Sequence, residues 1–296
     1  MLLVKPDFYD EFHCIASRCR HSCCVGWEID VDEDSLAYYQ SVPGEMGELL
    51  RGNIELRPTP HFRLSDGERC PFLRPDGLCR MILELGEDSL CDICAEHPRF
   101  YNEFPGRLEA GLGLCCEEAA RLLLRREGHL RLVAEGEAEE WDDLLLALRG
   151  EIFALLAEDD LPLTRRMEAA LARMGQHLIP FRRGEAAHFF LTLERMDESW
   201  TALLERLGEA PDGEPGLSDE RFARIAEYLI YRHFASAANE EEAAQRLQFC
   251  FYAARLVCAL GELAPVEEAL RLFSAEIEYS DENVGKICEW LGGAVS

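Results

Sequence analysis

The sequence predicts a mainly α protein: a loop-rich, cysteine-bound N-terminal metal or cluster region packed on a C-terminal helical bundle. Three observations predict it. Ten of the thirteen cysteines precede residue 117. Pro58, Pro60, Gly67, Pro71, Pro75 and Gly77 break the middle of that region into loops and turns. Beyond Cys116, apolar residues recur at three- and four-residue steps, the spacing of an amphipathic helix. With 296 residues, 48% apolar and 29% charged, the chain has material for a buried core and is too apolar for a disordered one. The expected division is a cysteine-rich region over 1–136 and a helical domain over 137–296.

The elements follow in order. Trp27-Glu28-Ile29-Asp30-Val31-Asp32 alternates apolar and polar residues, as a half-buried strand does. Asp34 to Tyr39 starts a short helix. Ala119, Leu122, Leu123 and Leu130 begin the helical half. Trp141, Leu144, Leu145, Leu148, Ile152, Leu155 and Leu156 form the next apolar stripe. Further helices are expected over 163–178, 186–207, 219–237 and 241–260, with shorter ones over 265–273 and 282–291. The run Pro211-Asp212-Gly213-Glu214-Pro215-Gly216 is a break, with Ser218 as N-cap of the helix after it.

Charge and termini exclude several classes. A formal net charge of −27 opposes binding to a phosphate backbone, so no nucleic-acid partner is expected. No apolar run reaches the roughly 18 residues of a membrane span. The start Met1-Leu2-Leu3-Val4-Lys5-Pro6-Asp7 turns polar at once and does not read as a signal peptide. A cytoplasmic location follows as the expectation, and there clustered cysteines serve as metal ligands or redox groups rather than disulfides.

The cysteine spacing supports metal. The groups are Cys14, Cys19, Cys23 and Cys24; Cys70 and Cys79; Cys91 and Cys94; and Cys115 with Cys116. The Cys91-x2-Cys94 turn suits two thiolates on one centre, and pairs from separate segments make the four-thiolate sites of zinc or iron–sulfur clusters. His13, His21 and His97 lie among them at no zinc-finger spacing. Cys250, Cys258 and Cys288 sit on helical patterns and read as core residues.

Several blocks together resemble the flagellin lysine N-methylase family. They are Phe12-His13-Cys14, Cys19, Cys23-Cys24 with Gly26-Trp27, Cys70-Pro71-Phe72-Leu73 and Gly77-Leu78-Cys79. Leu85-Gly86-Glu87, Leu90-Cys91-x2-Cys94, His97-Pro98-Arg99 and Leu114-Cys115-Cys116-Glu117-Glu118 follow, and Glu227-Tyr228 to Arg232 is a fainter echo. The resemblance is specific over residues 8–123. It implies methyl transfer from S-adenosylmethionine to lysine ε-amines of flagellin, and an iron–sulfur cluster of the 4Fe-4S kind. The family's cysteine pattern carries over onto Cys14, Cys19, Cys23, Cys24, Cys70, Cys79, Cys91, Cys94 and Cys116. Cys115, Glu117 and His97 depart from the serine, proline and tyrosine usual in the family at those places, which puts the pocket shape in doubt but not the shared cysteines.

Methylation needs a neutral amine, so a lysine with a pKa of about 10.4 must be desolvated or deprotonated. Glu28, Asp66, Tyr101, Glu118, Tyr228 and Tyr231 are candidates, and spacing singles out none. Arg99 suits a cluster sulfide, a donor carboxylate or a structural acid, and Trp27 suits a hydrophobic cover. Glu109-Ala110-Gly111-Leu112-Gly113 has the look of an acidic-glycine donor loop but lacks the alternating strands and helices such a loop requires. Zinc is the alternative metal. The rival function is a non-enzymatic cysteine-rich zinc- or iron-binding protein, or an electron-transfer protein.

Overall fold

The computed structural model describes residues 1–137, 143–216 and 220–293. They form two compact units, residues 13–100 and residues 1–12 together with 101–296. The smaller unit is thus inserted within the chain of the larger one.

The larger unit begins with strand β1 (Leu2–Pro6). In the smaller unit, α1 (Glu33–Ser41) starts at Asp32, whose Oδ1 accepts from Ser35 N at 2.8 Å. It is followed by α2 (Gly44–Gly52), the two-residue strands β2 (Ile54–Glu55) and β3 (His61–Phe62), and the short helices α3 (Arg80–Leu85) and α4 (Asp92–Glu96). The alternation at 27–32 has the burial expected of it, with Ile29 and Val31 buried and Glu28 and Asp30 exposed. Pairing there is limited to an Asp30–His61 bridge and flanking bonds, so the segment is extended without being a strand of a sheet. Ile29, Val31, Tyr39, Val42, Met46, Leu50, Phe62 and Phe72 close the core of this unit.

Strand β4 (Arg99–Phe104) carries the chain back into the larger unit. A Pro105-Gly106 turn, with Gly106 at φ +69°, leads into β5 (Arg107–Leu112). Helix α5 (Glu117–Leu124) and strand β6 (Leu132–Gly136) follow. The sheet order is β4-β5-β1-β6, with β1 parallel to β5 and antiparallel to β6. The helical pattern expected from Cys116 onward is therefore interrupted. Leu130 lies outside α5, just before β6, and not in a helix.

The rest is helical: α6 (Leu144–Leu156), α7 (Leu163–Arg173), α8 (Arg183–Phe190), α9 (Glu198–Glu209), α10 (Glu220–His233), α11 (Glu240–Gly261), α12 (Val266–Phe273) and α13 (Asp281–Gly293). The expected helix over 186–207 is two helices, α8 and α9, separated by a break where Arg195 donates to the Leu191 and Leu193 carbonyls. Trp141 and the Ser218 N-cap lie outside the described residues. Helix α11 is buried through most of its length and packs against α7, α9, α10, α12 and α13. Its start is a reciprocal cap. Asn239 Oδ1 accepts from Glu242 N, and Glu242 Oε2 accepts from Ala238 N. No described helix is long and apolar enough to cross a membrane.

Candidate metal centre

All thirteen cysteines are reduced. Five of the nine that match the family pattern share one core in the smaller unit. Cys70 and Cys91 are buried there, and Cys24, Cys79 and Cys94 pack against it half-buried. Local backbone bonds place them. Cys70 N donates to Cys24 O at 2.8 Å, and a bridge joins Leu73 to Cys79. The Cys91–Cys94 turn is held by Asp32, whose second oxygen accepts from Asp92 N at 3.0 Å, and Tyr39 donates to Ser89 O at 2.8 Å beside it. One aspartate therefore caps α1 and fixes the turn that carries two thiols.

The five thiols feel one another. Burial pushes Cys70 up to about 12, with Cys24 and Cys79 adding repulsion. Cys79 is raised by burial, with Cys24 and Cys91 beside it. In the Cys91–Cys94 pair the hydrogen bond between the thiols lowers Cys91 and raises Cys94, so Cys91 ionises first. Cys24 is lowered to about 7, first by its bond with Cys23. Among the described residues, no three histidine, cysteine, aspartate or glutamate side chains are placed to chelate a single ion. The fit lies in the donor set: five soft thiols in one apolar core, two of them disposed to ionise, suit a thiolate-bound metal.

The other predicted cysteines are placed differently. Cys14 and Cys23 are exposed and Cys19 is half-buried, all in the loop that precedes Gly26. Cys116 belongs to the larger unit, at the N-cap of α5. His13 and His21 are exposed. His97 Nε2 is buried and meets no hydrogen-bond partner, and burial lowers its pKa, which favours the neutral imidazole that ligates metals. Trp27 lies 6.0 Å from the His97 ring, packs against the cysteine-bearing core and donates to Cys23 O at 2.7 Å. Cys250 and Cys258 are buried on α11, and Cys288 is half-buried on α13.

Several proton-transfer candidates have structural work instead. The Tyr228 hydroxyl accepts from Leu112 N at 2.6 Å and donates to Leu112 O at 2.7 Å, at the end of β5. The Tyr231 hydroxyl bonds Val4 O and Ala110 O and so ties α10 to both β1 and β5. Glu118 is buried and paired with Arg121. Arg99 donates to Ala95 O at 3.4 Å. Glu28, Asp66 and Tyr101 remain exposed, with Glu28 3.5 Å from His61 and the Tyr101 hydroxyl 3.5 Å from that of Tyr9. The Glu109–Gly113 stretch lies on β5 and leads towards α5, but Glu109 is fully buried and bound by Arg107 and Arg149. A carboxylate so buried and paired is closed to a ligand from solvent. Sequence reasoning passed over His129, clamped between Glu227 and Asp159, and the arginines around it. The pair Arg125-Arg126 with Arg131 in so acidic a chain was the available signal.

A mainly helical chain with a cysteine-bearing core is the class that fold and site define. No family model matches the chain, and no solved structure matches it. Curated relatives do. The chain is 27% identical over 129 residues to the flagellar biosynthetic protein FliU of Salmonella muenchen, across 41% of this chain and 76% of that protein. At the same identity and length it is similar to the lysine-N-methylases of Salmonella typhimurium and Salmonella choleraesuis. That match spans only 32% of each lysine-N-methylase.

Proposed function

We propose that this chain is a cytoplasmic protein-lysine N-methyltransferase that moves methyl groups from S-adenosylmethionine to lysine ε-amines of flagellin. We also propose that it holds an iron–sulfur cluster on cysteines of the smaller unit. The observation that carries the reading is the gathering of Cys24, Cys70, Cys79, Cys91 and Cys94 in one core, in a chain similar to proteins named for lysine methylation. The flagellin target rests on the flagellar name of another relative. Four of these five thiols would hold a 4Fe-4S cluster, with zinc as the alternative soft metal. When bound, such a centre supplies covalent cross-links between segments that share no sheet. For the target amine, the accessible proton acceptors among the candidates are Glu28, Asp66 and Tyr101.

The test has two parts. Anaerobic purification is expected to yield a brown protein with about four irons and four sulfides per chain. Incubation with S-adenosylmethionine and flagellin is expected to methylate lysines, read by mass spectrometry. Bound zinc with unmodified flagellin would instead support a metal protein without transferase activity.

A further inference from the structure

A cavity of about 350 Å³ opens in the larger unit, between the end of β1, the segment following α5 and the side chain of Arg224 on α10. That volume falls within the range of small-molecule sites. Its walls carry Arg125, Arg126, Arg131 and Arg224, in a chain of net charge −27. Asp7 and Glu127 are the carboxylates on the same walls.

Internal partners account for part of this charge. Arg224 is buried and caps the end of α5, donating to Gly128 O at 2.9 Å and Leu123 O at 3.2 Å. Glu11 accepts one bond from Arg125 Nη2 and one from Arg126 Nη2. Each of those guanidiniums carries more donors than the single bond Glu11 takes from it. Two features stay unexplained. Arg126 Nε is buried with no hydrogen-bond partner, and stands 4.0 Å from Asp7 Oδ1, too far to donate. Arg131 is exposed on the pocket wall and has no side-chain acceptor among the described residues. His129 lies on the same wall, held between Glu227 and Asp159. Burial opposes its charge, but the bonds to Glu227 and Asp159 prevail and raise its pKa.

Guanidinium donors left over at a cavity wall suit an acceptor from outside the chain. We propose that this pocket binds a small molecule through an anionic group, a carboxylate or a phosphate, which accepts from the Arg131 guanidinium and from the terminal nitrogens of Arg125 and Arg126 that Glu11 leaves over. Guanidinium suits both groups because its planar donor array matches their paired oxygens. The site is independent of methyl transfer: a chain without methylase activity that binds such an anion here satisfies it.

Isothermal titration of the full chain tests it, with inorganic phosphate, citrate and S-adenosylmethionine as separate probes. At least one is expected to bind the wild-type protein. Arg126→Gln and Arg131→Gln are each expected to weaken that binding about tenfold, the value of one charge-assisted hydrogen bond. Arg165→Gln, which removes an exposed pair with Glu168, is expected to change nothing. Phosphate binding alone identifies a phosphate ligand, and binding of citrate or S-adenosylmethionine identifies a carboxylate. Circular dichroism checks folding. Should Arg126→Gln unfold, exposed Arg131 carries the test, with Arg131→Lys expected to retain part of the affinity. The proposal is overturned if no probe binds at millimolar concentration, or if folded Arg131→Gln binds as the wild type does.

Discussion

In the larger unit, backbone hydrogen bonds close within long elements. Helix α11 alone runs 22 residues, and four strands share one sheet. Residues 13–100 have α-helices of five to nine residues, one pair of two-residue strands and scattered single bridges. Their order depends on side chains that tie distant turns together, Asp32 and Tyr39 among them, and on a core that includes thiols. The contrast teaches that one unit is held by secondary structure and burial, while the other has a shortage of backbone pairing that a metal would relieve.

The most direct way to break this comparison is to remove the metal proposed for the smaller unit. Stripping by a chelator under reducing, anaerobic conditions is expected to collapse amide-exchange protection over 13–100 and to spare the helices of the larger unit. Thiolate-bound structural metals contribute on the order of 10 kcal/mol. Cys91→Ser is expected to lower metal content, and exposed Cys14→Ser to leave it intact. Persistent protection in the stripped protein would show that the apolar core alone holds the smaller unit.

In the larger unit the matching blow is electrostatic. Glu109→Ala leaves the buried Arg149 without its carboxylate and is expected to cost about 3–5 kcal/mol in urea unfolding. A near-neutral result would mean that Arg149 relaxes to another acceptor.

Acid sharpens the same contrast. Buried Glu278 is held at about 2, below its ordinary 4.5, because Arg232 and His233 outweigh its desolvation. The folded value is the lower one, so this contribution is present above pH 4.5 and is lost as pH falls from 4.5 towards 2. It amounts to about 3 kcal/mol. Thermal unfolding followed across that window is expected to flatten in Glu278→Gln. His129 has the opposite sign. Its raised pKa contributes stability below pH 6.5 that is lost as pH rises through the folded value.

The smallest effect expected is that of Tyr231→Phe, which frees two carbonyls, Val4 O and Ala110 O, from a buried hydroxyl. A loss of about 1–3 kcal/mol in urea unfolding is expected, with no change in metal content. Metal loss in this variant would link the two units and contradict their separate accounts.

Much of this was legible in the residues. The stripe from Leu144 to Leu156 became α6, and the Glu241–Leu260 pattern became α11, because a 3.6-residue period is a local property of the chain. The alternation at 27–32 marked the buried side chains but not their partners. Strand β1 was illegible, since its Leu2-Leu3-Val4 run has no polar alternation and pairs with residues 107–109. Tyr228 and Tyr231 looked like one helix face, and they are, but nothing local announced that their hydroxyls end on β5 and β1.

By itself the sequence determined most of the helical pattern beyond residue 143, the break at 211–216, and that ten cysteines crowd one end of the chain. Tertiary structure decided the rest. It inserted residues 13–100 between β1 and β5, placed Cys24, Cys70, Cys79, Cys91 and Cys94 in one core while leaving Cys14 and Cys23 exposed, and spent Glu109 on two arginines. The physical reason is range. Helical periodicity is set by neighbours three and four residues away, whereas strand pairing, thiol convergence and ion pairing join residues tens of positions apart and are decided only when the whole chain packs.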